Sequence, residues 1–202
     1  WPESSGVAGN PELKPESGIS GDLGFELTTD VLKLSSSLFA RYMKDVILWQ
    51  PGEDGIWRPT NYGAGLYPGL EIAANFPKSG VVSSKVSYTY IHSYLLSGNI
   101  ALSDDLRIPM IPEHTLNIMF LYERGKLHGS IDFDYAGLRY LTMANVAYDP
   151  AHLIINAHAE LNLKDSASIT LDALNLLNER YESVQGYPMP GFSLRLGSSK
   201  KF

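Results

Sequence analysis

The sequence of 202 residues has no cysteine, which excludes a disulfide framework and any thiolate metal site. It also has no excess of positive charge. Its 16 Lys and Arg stand against 22 Asp and Glu, for a formal net charge of -6. Without a basic stripe to follow a phosphate backbone, nucleic acid is excluded as a partner. No uninterrupted apolar run approaches the roughly 18 residues that a membrane-spanning helix needs. The opening stretch, WPESSGVAGNPELKPE, is polar and rich in Pro and Gly. It has neither a basic n-region nor an apolar h-region, so it does not read as a signal peptide. Gly-x-Ser-x-Gly is absent, and no histidine stands at a recognisable spacing from an acid and a nucleophile, which removes the usual hydrolase signatures.

What is present is alternation. Successive side chains of a strand point to opposite faces, so a period of two separates a wet face from a dry one. From Leu127 to Tyr135, the residues Leu127, Ile131, Phe133 and Tyr135 face one way and His128, Ser130, Asp132 and Asp134 the other. From Leu153 to Leu163, Leu153, Ile155, Ala157, Ala159, Leu161 and Leu163 oppose Asn156, His158, Glu160 and Asn162. The segments Val82 to Tyr94 and Leu116 to Glu123 alternate in the same way, and weaker patterns run over 19–27, 32–42, 64–76, 167–175 and 192–202. The sequence therefore predicts an all-β chain of about nine strands, each near the length of a tilted membrane strand.

The predicted connections alternate too. Short polar turns at Thr28-Thr29-Asp30, Pro77-Lys78-Ser79-Gly80, Arg124-Gly125-Lys126 and Lys164-Asp165-Ser166 are separated by longer loops near 45–61, 96–112, 141–151 and 178–191. Short turns at one end and long loops at the other are a property of outer-membrane barrels. A soluble β-sandwich alternates in and out as well, but nothing sorts its loops by parity. In a membrane barrel the apolar face meets lipid and the polar face lines the lumen. Lys85, Asp132, Asp134, His158 and Glu160 are then lumen-facing, because in lipid their charge is costly. Tyr42, Tyr62, Tyr90, Tyr94, Tyr122 and Tyr140 fall near strand ends, where interfacial aromatics belong.

Three regions carry a resemblance to a family. The first is Asn10-Pro11-Glu12-Leu13-Lys14-Pro15-Glu16, leading into the strand that ends at Leu27. The second runs from Val46-Ile47-Leu48-Trp49 through Trp57-Arg58-Pro59-Thr60-Asn61 and Pro68-Gly69-Leu70-Glu71 to Ile108-Pro109-Met110-Ile111-Pro112-Glu113-His114. The third is the end, NLLNERYESVQGYPMPGFSLRLGSSKKF, which joins a Gly-Tyr-Pro-Met-Pro-Gly loop to an alternating strand with a terminal aromatic. Together they resemble the C-terminal part of TonB-dependent outer-membrane receptors, over essentially the whole chain.

The resemblance implies a transmembrane antiparallel β-barrel of about 22 strands with a plugged lumen. Counted back from Phe202, residues 1–202 would form about nine strands at its C-terminal end, with the plug and the N-terminal strands outside this sequence. It implies energised, high-affinity uptake of a scarce ligand such as a ferric siderophore, cobalamin or a similar chelate. The partners implied are a TonB-type energy-coupling protein acting through the plug, the remaining barrel and plug segments, outer-membrane lipid and the assembly machinery. Phe202 resembles the terminal signal read by that machinery, although Ser198 and Lys200 share its parity where the family usually has apolar residues. The family's haem receptors carry a histidine before the Asn-Pro-x-Leu segment; residues 1–9 have none, which disfavours haem. No cofactor is implied.

The resemblance places ligand recognition in the extracellular loops and the plug apex. Trp49, Trp57, Arg58, Tyr62, Tyr148 and Tyr187 are the ligand-facing loop candidates, since aromatics with a polar tip suit a bulky, partly apolar ligand. No catalytic residue is assigned. His114, His128, His152 and His158 are each candidates for the lumen, but no two stand at a ligating spacing within one element. Asp104-Asp105 and the Asp132/Asp134 pair invite a metal reading, yet solvated lumen carboxylates account for the latter, and no metal site is assigned. The rivals are a passive porin-like channel, a β-rich surface binding module and a hydrolase built on a barrel wall.

Overall fold

The computed structural model describes residues 6–97, 106–163, 167–184 and 186–200. In chain order its strands are β1 (Ser17–Thr28), β2 (Lys33–Lys44), β3 (Ile47–Pro51), β4 (Trp57–Asn61), β5 (Ala64–Ser79), β6 (Val82–Ile91), β7 (Tyr94–Ser97) and β8 (His114–Arg124), followed by β9 (Leu127–Ala136), β10 (Arg139–Tyr140), β11 (Tyr148–Asp149), β12 (His152–Asn162), β13 (Ala167–Leu174), β14 (Glu182–Val184), β15 (Tyr187–Pro188) and β16 (Ser193–Lys200). Nine of them form one antiparallel meander in the order β1-β2-β5-β6-β8-β9-β12-β13-β16. Each of the nine alternating segments of the sequence supplies one strand of this wall, in chain order.

The ladder registers give the wall two chemically distinct faces. Leu23, Leu38, Leu70 and Tyr90 are successive cross-strand partners. Further along, Val86, Ile118, Phe133 and Ile155 form another such row, and Ile131, Ala157, Ala173 and Leu194 a third. Because partners in register point the same way, these rows make a continuous apolar face. On the opposite face Asn75, Lys85, Met119, Asp132 and Asn156 lie in one row. Ser130, His158, Asp172 and Arg195 lie in another.

The wall has no packed core of its own. Among the described residues no large side chain is fully buried, while Leu23 is 75% exposed and Leu196 79%. A β-sandwich of this length would bury the facing sides of its two sheets. Here one layer presents apolar surface on one side and polar surface on the other. No ladder joins β1 to β16 among the described residues, so the sheet is open at both edges.

The two ends differ. At one end the connections are tight: Gly125 adopts φ 58° between β8 and β9, and Gly80 adopts φ 65° between β5 and β6, backbone values that favour glycine. Between β1 and β2, the Thr29 hydroxyl accepts from the amides of Val31 and Leu32 at 3.3 and 3.0 Å. The Lys164-Asp165-Ser166 turn lies outside the described residues. At the other end the loops build the three small sheets β3/β4, β10/β11 and β14/β15.

One expected strand divides. The segment Val82 to Tyr94 stops as β6 at Ile91 and resumes as β7, which pairs with the extended end of β5. The cause lies across the ladder. The His92 amide donates to the Pro68 carbonyl at 2.9 Å, but Pro68 has no N–H to return the bond.

Candidate functional site

The polar face carries the five residues singled out by alternation. Asn75 pairs with Lys85 and Met119 with Asp132, and in the next rows Asn117 pairs with Asp134, Ser130 with His158, and His128 with Glu160. All five therefore point away from the apolar rows. Their neighbours satisfy several of them: Asn117 donates to the Asp134 carboxylate, Ser130 Oγ donates to Asp132 at 3.0 Å, and His158 Nδ1 lies 2.6 Å from Asp172 Oδ1. Their spacing reflects the strand period, and among the described residues no group of three or more His, Asp or Glu is arranged to hold a metal ion.

The six loop candidates occupy the loop end, but on separate small sheets. Trp49 and Trp57 share one face of the β3/β4 hairpin, because Trp49 pairs with Pro59 and Trp57 with Pro51. They are 48% and 41% exposed. Arg58 turns to the other face, where it holds Asp54 through contacts of 2.9 and 3.0 Å. The Arg58 hydrogen bond, with one from the Ile56 amide, lowers the Asp54 carboxyl to about 2. Tyr62 follows the hairpin, and burial pushes its hydroxyl up. Tyr148 is on β11 and Tyr187 on β15, both exposed. The segment before β1 docks on this hairpin. The amide of Lys14 donates to Asn61 Oδ1 at 2.7 Å, Asn10 Nδ2 donates to the Pro59 carbonyl at 3.0 Å, and the Ile47 amide donates to Glu16 at 2.7 Å. The Asn-Pro-x-Leu-Lys-Pro-Glu motif is thus a brace for the first long loop.

The last loop is braced still more firmly. Asn175, only 4% exposed, adopts φ 51°. Its Nδ2 donates to the carbonyls of Glu179 and Pro190 at 2.9 and 3.1 Å, and its Oδ1 accepts from the Glu179 amide at 2.8 Å. Asn178 adopts φ 52° and accepts from the Phe192 amide at 3.0 Å. These two positions explain the Asn-Leu-Leu-Asn motif. Asparagine tolerates left-handed backbone, and its side chain bonds nearby main chain. A second clamp comes from Arg139. It bonds Asp149 at 2.8 and 2.9 Å and reaches the carbonyls of Glu182 and Ser183, each at 2.9 Å.

Under this loop a hollow of about 440 Å³ opens on the polar face, lined among others by Asp134, His152, Asn156, Tyr181, Met189 and Arg195. The His152 and Tyr181 rings stack with centroids 4.7 Å apart. None of the six loop candidates lines it. Arg195 was legible as the polar-parity residue between Leu194 and Leu196, but Tyr181 had no local signal, since only tertiary folding brings it over His152.

His114 departs from expectation. It pairs with Tyr90, so it stands on the apolar parity and not with the polar face. Its Nδ1 lies 2.8 Å from the Tyr88 hydroxyl. Beside it, Glu113 meets His92 at 3.0 Å and Arg107 at 3.2 Å. Burial raises the Glu113 carboxyl, but the His92 hydrogen bond and the Arg107 charge leave it below its usual range. Asp104, Asp105 and Phe202 lie outside the described residues.

Residues 2–176 match the family model described as TonB dependent receptor-like, beta-barrel. The chain is 25% identical over 206 residues to the vitamin B12 transporter BtuB of Photobacterium profundum, covering 100% of this chain and 32% of that protein. It is 27% identical over 220 residues to the iron-regulated outer membrane virulence protein of Vibrio cholerae (serotype O1, El Tor Inaba), covering 98% of this chain and 33% of that one. Among solved structures it superposes on the copper transporter OprC with a TM-score of 0.76, at 16% identity, over 95% of this chain and 32% of that one. The chain spans about a third of the length of the curated relatives it matches.

Proposed function

This chain belongs to the TonB-dependent receptor β-barrel family of the outer membrane, and from that premise we propose that it supplies C-terminal wall strands of a transporter that takes up a scarce metal chelate. The observation that carries this reading is the continuous two-faced wall of nine strands with its elaborated loops at one end. The apolar face meets lipid, the polar face lines the lumen, and the loop end is extracellular. The two open edges require further strands, because unpaired backbone N–H and C=O groups are too costly in hydrocarbon.

Work for uptake comes from a TonB-type coupling protein acting on a plug within the completed barrel. The chain's own contribution is a wall, a set of braced loops and a polar lining; its role is transport, not catalysis. The cargo is a chelate, with a corrinoid favoured because one of the relatives matched over the whole chain is a vitamin B12 transporter. Trp49, Trp57, Tyr148 and Tyr187 present aromatic surface for a bulky ligand arriving from outside, and Arg58 stiffens the hairpin that carries two of them.

The test is uptake of labelled cyanocobalamin, and separately of ferric siderophores, by cells producing the complete receptor with and without the coupling protein. Saturable uptake that disappears without the coupling protein is expected. Linear, unsaturable uptake unaffected by its removal would replace this reading with a passive channel.

A further inference from the structure

We propose that the lipid-facing side of the wall holds an acyl chain of an outer-leaflet glycolipid, in a hollow between Leu38, Pro68 and Tyr94. This site is independent of which cargo the receptor carries.

The hollow follows from side-chain size along the ladder. Leu38, Leu70 and Tyr90 are cross-strand partners and form one rim. Nearer the loop end, Tyr42, Leu66 and Tyr94 form the other. Between the rims stand Ala40 and its partner Pro68, whose short side chains do not fill the gap. His92 closes the row, its amide donating to the Pro68 carbonyl at 2.9 Å. The space left is about 800 Å³, within the size of small-molecule sites. All of these residues share the parity of the apolar rows, so the hollow opens outward. Strands added beyond β1 and a plug in the lumen leave it uncovered, because neither stands on that side.

Charge fixes the level of the membrane at which the hollow lies. At its end His92 Nδ1 is 3.0 Å from Glu113, Arg107 is 3.2 Å from the same carboxylate, and Arg107 also contacts His92. Charged groups on the lipid side are costly in hydrocarbon, so this cluster stands among headgroups. The hollow beside it then receives the first part of a chain. Lipid tails are as apolar as leucine, so selection rests on van der Waals contact in the hollow and polar contact at its end. There Arg107 and Glu113 balance each other's charge. The His92 and Tyr94 rings meet edge to face, with centroids 5.5 Å apart. Rings with polar tips beside a neutralised ion pair suit a sugar headgroup better than a bare phosphate.

Native mass spectrometry of the purified complete receptor, titrated with lipid A or with phosphatidylglycerol, tests the site. Both lipids are acylated and anionic, and only lipid A carries sugars. Wild type is expected to retain lipid A more tightly than phosphatidylglycerol. Ala40→Trp fills the hollow from an exposed position and should weaken lipid A binding roughly tenfold. Ala159→Trp, exposed on the same face of β12, should leave it unchanged. Heat-modifiability on gels reports whether each variant is folded, and Ala40→Leu carries the same test if the larger side chain prevents folding. Equal lipid A affinity in wild type and the folded Ala40 variant overturns the proposal, and so does an equal loss in Ala159→Trp. Phosphatidylglycerol held as tightly as lipid A by the wild type overturns the glycolipid assignment.

Discussion

Asn175→Ala should release the last long loop while leaving the wall intact. The alanine removes three side-chain hydrogen bonds, to the Glu179 carbonyl, the Pro190 carbonyl and the Glu179 amide. At about 1 kcal/mol each, these give about 3 kcal/mol. It also places a Cβ-bearing residue without a compensating side chain at φ 51°, which adds about 1 kcal/mol. A local loss of about 4 kcal/mol corresponds to roughly a thousandfold rise in loop opening. The reporter is hydrogen exchange at the Met189 amide, which donates to the Tyr181 carbonyl at 3.0 Å across the loop and does not touch Asn175. Its protection should collapse in Asn175→Ala. Asn175→Gly keeps the backbone angle without strain and should retain about a fivefold advantage over alanine. Unchanged Met189 protection in the alanine variant would show that Asn175 is not the pin.

Other consequences follow from the same geometry. Arg139→Ala removes the link between β10 and the carbonyls of Glu182 and Ser183; protease cutting within 178–191 should increase severalfold, and Arg139→Lys should not restore protection, because a single ammonium cannot reproduce the fork. Asp54 titrates at about 2 against an ordinary 3.8, a depressed carboxylate. Its stabilising contribution is complete above the ordinary value and disappears as pH falls through about 2. Carboxyl ¹³C NMR of labelled receptor should show this, and Arg58→Gln should return Asp54 towards 3.8. Gly69→Ala should lower the folded yield, because the added Cβ meets the ring of Phe39 and lies 2.5 Å from the Tyr90 carbonyl oxygen. Heat-modifiability on gels measures that yield, and a normal yield would show that the strands part easily there.

Much of this architecture could be read from the sequence because alternation is local. Each residue from Leu127 to Tyr135 or from Leu153 to Leu163 declares its face by parity, and register then aligns these faces across strands. The division of β6 from β7 was not legible, since its cause, Pro68, sits on a neighbouring strand. His114 was misplaced because a histidine at a strand end carries no face label until its partner, Tyr90, is known. The aromatic loop residues were locatable as loop residues, but the hollow was not. It needs Tyr181 from one loop, His152 from the start of β12 and Arg195 from β16, joined by contacts that no spacing encodes. The Asn-Leu-Leu-Asn and Asn-Pro-x-Leu motifs were visible as patterns, and only the hydrogen bonds reveal them as loop braces.

The central claim is that one face of this wall meets lipid and the other meets water. This sequence contains no cysteine, so single cysteines can be introduced in turn along β12 of the complete receptor and spin-labelled. Ile155, Ala157 and Ala159 should show high accessibility to oxygen, which partitions into lipid. Asn156, His158 and Glu160 should favour a water-soluble nickel chelate, or be shielded from both where another part of the protein covers them. An alternation of period two with oxygen peaking at the odd positions is the predicted result; water access at Ile155 and Ala157 equal to that at Asn156 and His158 would contradict it.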